Sequence, residues 1–229
     1  MEILYEDNHV IVVLKPQNVP SQEDASKDKD LLTMVKEYIK EKYNKPGNVY
    51  VGLVHRLDRP TGGIMVFAKT SKAAARLSEQ FKNGEAEKTY FAVVKGNLKL
   101  TQTKLVNYLL KDETNNKVRV VPMSTAGAKR AELDYTLLES REGLHLLKVK
   151  LATGRGHQIR VQLSTIGNPI VGDQKYGGEN MEKVNLNLFA VELKFYHPTT
   201  KEKMVFRAYP PEQKTAWNLF NLEKHISLR

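Results

Sequence analysis

The stretch Leu53-Val54-His55-Arg56-Leu57-Asp58-Arg59-Pro60-Thr61-Gly62-Gly63-Ile64-Met65-Val66-Phe67-Ala68-Lys69 reads as a strand, a polar turn and a second strand. The turn crowds His55, Arg56, Asp58 and Arg59 into consecutive or near-consecutive positions. An ordinary surface loop is also polar, but three features set this one apart. Pro60 fixes the chain, Gly62-Gly63 permit an unusual backbone, and Asp58 stands between two arginines with apolar strands on either side. A carboxylate so placed is held ionised and aimed, as a nucleophile must be when the arginines can also hold a phosphodiester substrate.

Outward from that turn, short apolar runs recur along the whole chain. Strands are expected at Ile3 to Tyr5, Val10 to Leu14, Val49 to Val54, Ile64 to Ala68, Thr89 to Val94, Val118 to Val121, Leu144 to Leu151 and Met204 to Ala208. The clearest alternation is in Glu132 to Leu138, where Leu133, Tyr135 and Leu137 share one face, and in Phe189 to Phe195. Helices are fewer. Leu31, Val35 and Ile39 recur at helical spacing before Lys45-Pro46-Gly47, and Ser71 is placed to cap a helix carrying Ala74, Leu77 and Phe81 before Gly84. A third helix is expected at His157 to Ile166 with Ile159, Leu163 and Ile166 as its buried stripe, and a fourth near Glu212 to Leu222. Many strands broken by a few helices, with no regular strand-helix repeat, predict an α+β fold on a mixed, mostly antiparallel sheet. With no linker-like tract and no internal repeat, residues 1–229 read as a single domain.

Composition narrows the class of function. Lysine and arginine number 36 against 26 acidic residues, a formal charge of +10, and the partner such a surface favours in a cytoplasm is nucleic acid. There is no cysteine, which removes thiolate nucleophiles and Cys-containing metal sites. The acidic start and the absence of a long apolar run suggest neither a signal peptide nor a spanning helix, so a cytoplasmic protein without a membrane partner is expected.

A second informative stretch is Ala152-Thr153-Gly154-Arg155-Gly156-His157-Gln158-Ile159-Arg160-Val161-Gln162-Leu163, a strand running through a glycine-rich turn into a helix. Free amides at that helix start, with Arg155 beside them, would make an anion site. The glycine spacing is not a dinucleotide fingerprint and no Walker sequence occurs, so a nucleotide cofactor is not expected. Arg160 lies one turn inside the helix, where a cation needs a buried counter-charge, and Asp58 is the carboxylate that suggests itself.

Together these residues resemble the RluA family of RNA pseudouridine synthases. The resemblance rests on Lys15-Pro16, on His55 to Asp58, on Lys88-Thr89-Tyr90 and on Gly154 to Arg160, in that order, with the second and fourth about 100 residues apart. Thr61-Gly62-Gly63 stands where the family has Thr-Ser-Gly, and the amino-terminal RNA-binding module of many relatives is not expected here. The resemblance implies a pseudouridine synthase fold with an RNA-binding cleft. It also implies an isomerase, independent of cofactor or metal, that detaches uracil from its ribose at N1 and rejoins it through C5. Asp58 would be the nucleophile or base, Arg160 would keep it charged, and Tyr90 would lie against the uracil. His55, Arg56, Lys88, Arg155 and His157 would contact the RNA, ribosomal or transfer, and the protein would act as a monomer. Arg56 would fill the space left by the flipped base.

Plainer roles exist for the same residues. Alternating aromatics around Tyr90 suit sheet packing, the two histidines suit hydrogen-bonded structural positions, and the Lys111 to Arg130 segment is either an RNA-gripping hairpin or a solvated one. A catalytically idle RNA-binding or assembly factor, and a nucleoside glycosidase, are the rival functions. The first would not need Asp58, and the second would need another carboxylic acid to protonate the leaving group.

Overall fold

The computed structural model describes residues 1–179, 181–211 and 215–228. In chain order the elements are β1 (Glu2–Glu6), β2 (Val10–Lys15), α1 (Leu31–Lys42), β3 (Gly52–Leu53), β4 (Gly62–Ala68), α2 (Ser71–Asn83) and β5 (Glu87–Lys95). They continue with β6 (Gln102–Asp112), β7 (Lys117–Val121), β8 (Lys129–Arg141), β9 (Leu144–Leu151), α3 (Gln158–Thr165), β10 (Leu188–Tyr196) and β11 (Lys203–Arg207). The fold is α+β and mostly antiparallel, as the strand pattern predicts. No helix among the described residues is long and apolar enough to cross a membrane.

The chain packs as two compact units, Met1–Glu87 with Ala190–Ala208, and Lys88–Phe189 with Tyr209–Ser227. In the first, β2 runs antiparallel to both β1 and β4, and β11 runs antiparallel to β10. All seven residues of β4 are buried, which is why Ile64 to Ala68 reads as an unbroken apolar run instead of an alternating one. Helix α1 buries Leu31, Val35 and Ile39, and Asp30 caps it by accepting from the Thr33 amide at 3.0 Å. Helix α2 begins one residue earlier than expected. Thr70, in extended backbone, accepts from the Ala73 amide, so Thr70 and not Ser71 is its cap. The buried stripe turns accordingly to Ala73, Leu77 and Gln80. Gln80 is drawn in because its amide bonds the Tyr196 backbone in both directions, each at 2.8 Å. The strand expected at Val49 to Val54 pairs with β4 only at Gly52 and Leu53.

In the second unit β5, β9, β8, β6 and β7 follow one another, each antiparallel to the next. Leu133, Tyr135, Leu146, Leu147 and Val149 fill its core. Strand β6 has no clear alternation, and most of it is half-exposed, so hydrophobic periodicity does not reveal it. A smaller cluster of Leu109, Val118, Ala131 and Val161 seats the β6–β7 hairpin on α3. Of the expected fourth helix, residues 212–214 lie outside the described residues. The remainder forms two short 3-10 segments, Ala216–Leu219 and Leu222–Lys224, with Trp217 and Phe220 buried.

Candidate functional site

In the first unit the turn between β3 and β4 carries Asp58, half-buried, and Arg56, exposed. The segment after β2 grips this turn along its length. The Lys15 ammonium, wholly buried, donates to the carbonyls of Pro16 (3.0 Å), Val19 (2.5 Å) and Arg59 (3.0 Å). Gln17 Nε2 donates to the Pro60 carbonyl at 3.1 Å. Ser21 Oγ donates to the Leu57 carbonyl at 2.7 Å and accepts from the Leu57 amide at 3.1 Å, which locks the residue before Asp58. Asp58 closes the turn by accepting at its carbonyl from the Thr61 amide (3.0 Å). Gly63 is obligatory. Its φ is +131°, and a Cβ there would fall 2.5 Å from the backbone of Ala190.

The charges around Asp58 differ from a carboxylate flanked by two arginines. Arg59 turns to Asp24 and Asp28 and donates to Ser26 Oγ at 2.7 Å, so its guanidinium is spent on the gripping segment. The cation that faces the turn from within is Lys15. Burial draws its ammonium down to about 7, the charge of Asp58 opposes that shift, and Arg59 adds to it. Sequence reading took Lys15-Pro16 only as a mark of resemblance, because the partners of Lys15 are backbone carbonyls that no residue-type pattern reveals. Lys15→Met, which keeps the stem but leaves three buried carbonyls without a donor, is expected to lower unfolding free energy by about 2–4 kcal/mol in urea titrations. A loss below about 1 kcal/mol would remove Lys15 from the grip.

His55 is drawn inward. Its Nε2 accepts from the Val66 amide at 3.0 Å, and its ring stacks on Phe81 with centroids 4.4 Å apart. The ring therefore braces β4 and α2.

In the second unit Tyr90 lies on β5, 5% exposed, opposite Val149 of β9. Lys88, two residues earlier on the same face, is half-buried, and burial lowers its pKa. Its ammonium lies over Gly154, where an added Cβ would sit 3.1 Å from Nζ. The Gly154 turn is thus next to Lys88, and Arg155, exposed, donates from Nε to the Arg130 carbonyl at 2.9 Å. The amides of this turn are not all free. Gln158 Oε1 accepts from the Arg155 amide at 3.0 Å and from Thr153 Oγ1 at 2.7 Å, so the helix start supplies fewer anion ligands than its glycines suggest.

Helix α3 has no polar face over its first two turns. Gln158 to Leu163 are all buried, Arg160 with 6% exposure among them, while Ile166 is only half-buried. The helix tolerates this because the amide donors of its glutamines are bonded: Gln158 Nε2 to the Glu132 carbonyl at 3.0 Å, and Gln162 Nε2 to Asn107 Oδ1 at 2.7 Å. Arg160 meets the fully buried Asp173 in a two-point pair, Nε to Oδ2 at 2.9 Å and Nη2 to Oδ1 at 2.8 Å. Asp173 Oδ1 also accepts from the amides of Lys175 (3.0 Å) and Tyr176 (3.1 Å). Sequence reading sought a counter-charge for Arg160 and named Asp58. It missed Asp173, which sits in a glycine-flanked loop whose folding back onto α3 leaves no local signal. No cluster of three His, Asp or Glu side chains able to hold a metal occurs among the described residues.

A family model described as RNA pseudouridylate synthase matches residues 9–165. Among curated proteins, the chain is 34% identical over 230 residues to the ribosomal large subunit pseudouridine synthase C of Vibrio parahaemolyticus, covering 97% of this chain and 69% of that one. It is 36% identical over 227 residues to an uncharacterized RNA pseudouridine synthase of Aquifex aeolicus, covering 93% of this chain and 70% of that one. The ribosomal large subunit pseudouridine synthase D of Borreliella burgdorferi is 35% identical over 198 residues, covering 83% of this chain and 60% of that one. Among solved structures, human RNA pseudouridylate synthase domain containing 4 superposes with a TM-score of 0.77 at 22% identity, covering 92% of this chain and 89% of that one, a likeness of fold.

Proposed function

The chain belongs to the RNA pseudouridylate synthase family, and on that premise we propose that it isomerises uridine to pseudouridine in ribosomal RNA, as one catalytic domain spanning both units. The single observation that carries this reading is Asp58, held in a turn gripped by Lys15, Gln17 and Ser21, within a chain whose relatives are named for activity on the large ribosomal subunit. We propose further that it acts in the cytoplasm and as a monomer.

Asp58 acts at the ribose carbon or the uracil ring as the N1–C1′ bond breaks. The uracil turns, C5 bonds to C1′, the C5 proton leaves and N1 gains one, so atoms balance without a cofactor. An ordinary aspartate is ionised at neutral pH, which leaves the protein the tasks of orienting it and keeping it charged. We assign the second task to Arg160, already organised by Asp173. Arg56, exposed beside Asp58, fills the space of the flipped base, while Arg155, Lys88 and His157 hold phosphates. His55, next to Arg56 in the chain, steadies that segment through its bond to the Val66 amide.

Comparing pseudouridine maps of RNA from cells with and without the gene, and incubating the purified protein with RNA, tests the reading. The expected result is loss of one or more ribosomal pseudouridines and rearranged nucleoside in vitro. Release of free uracil would make the protein a glycosidase, and RNA binding without either product would make it an idle binding factor. Tyr90 is tested separately, because stacking needs the ring and proton removal from C5 needs the hydroxyl. Tyr90→Phe is expected to bind RNA normally and turn over slowly or not at all, and Tyr90→Leu to lose affinity as well. Tritium release from C5-labelled uridine measures the step, and near-parental release by the Phe variant would leave Tyr90 as a stacking platform.

A further inference from the structure

Arg155 stands in the glycine turn ahead of α3, and Gln158 fastens both polar groups of its backbone. The Arg155 amide donates to Gln158 Oε1 at 3.0 Å, and the Arg155 carbonyl accepts from the Gln158 amide at 3.2 Å. Gln158 is only 2% exposed and is itself tied to β8. Its Nε2 donates to the Glu132 carbonyl at 3.0 Å, while Thr153 Oγ1, 2.7 Å from Gln158 Oε1, accepts from the Glu132 amide at 2.8 Å. A backbone amide only donates and a backbone carbonyl only accepts, so the oxygen of the Gln158 side chain faces Arg155 and its nitrogen faces Glu132. One buried side chain thus joins the turn to the strand.

The fastened backbone sets the Arg155 side chain. Nε reaches the Arg130 carbonyl at 2.9 Å, which directs the guanidinium along β8 and leaves its two Nη groups at an exposed position, given to no acceptor among the described residues. The cations nearby are committed elsewhere. Lys104, at 2.7 Å, and Arg130 both pair with Glu132. Arg155 pairs with no carboxylate among the described residues, and its free Nη edge has the planar fork that suits a phosphate. An arginine on a loose turn would lose backbone and rotamer freedom on binding, whereas one held through Nε and both backbone groups has already lost it.

We propose that Gln158 is a positioning residue for substrate binding, presenting the Arg155 guanidinium to a phosphate of the RNA through its bonds to the turn. The proposal rests on the RNA-isomerase reading above. A phosphate away from the reacting base is held alike in the ground state and the transition state, so Gln158 acts on KM and not on kcat. Thr153 shares the task, because its hydroxyl fixes the oxygen that receives the Arg155 amide.

The test uses the full-length protein and a large-subunit ribosomal RNA transcript. Arg155→Ala is expected to raise Kd and KM about tenfold, to leave kcat within about twofold, and to flatten the slope of log affinity against log salt by about one. Gln158→Met keeps the length of the side chain but neither of its polar ends, and should act in the same way. Adding Arg155→Ala to it should then cost less than about twofold more. Gln162→Met controls for the loss of a buried amide as such. Gln162 lies in the same helix, wholly buried, and bonds Asn107 and not the turn, so its variant is expected to melt earlier with parental affinity and salt slope. Thr153→Val, at a half-buried position, removes the hydroxyl and serves where Gln158→Met does not fold; removing Arg155 should cost less in that background than in the parent. Hydrogen exchange of the Arg155 amide, which needs no RNA, should speed up at least about tenfold in Gln158→Met. An Arg155→Ala cost equal in the parent and in these backgrounds, a parental salt slope in Gln158→Met, a fall in kcat as large as the rise in KM, or unchanged Arg155 exchange would each overturn the proposal. A parent that neither binds nor isomerises the transcript, with Arg155 exchange as expected, would instead overturn the RNA-isomerase reading.

Discussion

Asp58→Asn is expected to abolish isomerisation while RNA affinity stays within about tenfold of the parent, since phosphate contacts dominate binding and the substitution preserves shape. Asparagine retains the volume and most hydrogen-bonding capacity of the carboxylate but has neither its charge nor its nucleophilicity. The fastenings of the surrounding turn run through Lys15, Gln17 and Ser21 to the backbone of Arg59, Pro60 and Leu57, so the change reaches them only through Lys15, whose ammonium loses the carboxylate charge that opposes its downward shift. Turnover is expected to fall by at least about a thousandfold, equivalent to about 4 kcal/mol in the barrier. Stability, read by thermal unfolding, should fall by less than in Lys15→Met, because the clamp loses a supporting charge but keeps its side chain. An Asn variant within about an order of magnitude of the parent rate would sink the role given to Asp58.

The second large effect concerns the Arg160–Asp173 pair. Both side chains are withdrawn from water, 7% and 0% exposed, so removing one partner leaves the other charge buried and only partly compensated. Arg160→Ala is expected to cost about 3–5 kcal/mol, a fall in Tm of about 10 °C for a chain of this size. Asp173→Asn should cost less, because the amides of Lys175 and Tyr176 still find an acceptor at that position. Replacing both residues together by apolar ones of similar volume is expected to recover much of the stability and none of the activity. That combination separates holding the fold from the role proposed for Arg160 toward Asp58. An unchanged melting temperature in Arg160→Ala would mean that the pair contributes nothing to folding.

Local patterns in the chain carried much of this far. The stripe Leu31, Val35 and Ile39, the alternation of Leu133, Tyr135 and Leu137, and the reversal around Asp58 are each expressed within a few residues, because helix and strand periodicity and turn chemistry are short-range properties. The two polar motifs were legible for the same reason, as contiguous strings whose resemblance pointed to a family that the model over residues 9–165 then matched.

Tertiary structure decided which polar groups meet. Lys15 reads as the polar end of a strand, and only the return of the chain at Arg59, 44 residues later, makes it the clamp of the Asp58 turn. Arg59 reads as a neighbour of Asp58, yet the loop at Asp24 to Asp28 claims it, since a guanidinium goes to the carboxylates it can reach and not to the one next to it in the chain. Helix α3 reads as amphipathic and is buried around its first two turns, because Asp173, Asn107 and the Glu132 carbonyl arrive from distant segments to accept from its side-chain donors. Periodicity reports which residues avoid water, whereas hydrogen-bond partners depend on long-range closure of the chain, and that is why the sequence by itself determined the class of fold and singled out Asp58 as the carboxylate proposed to react, while the folded chain alone determined what holds its turn in place.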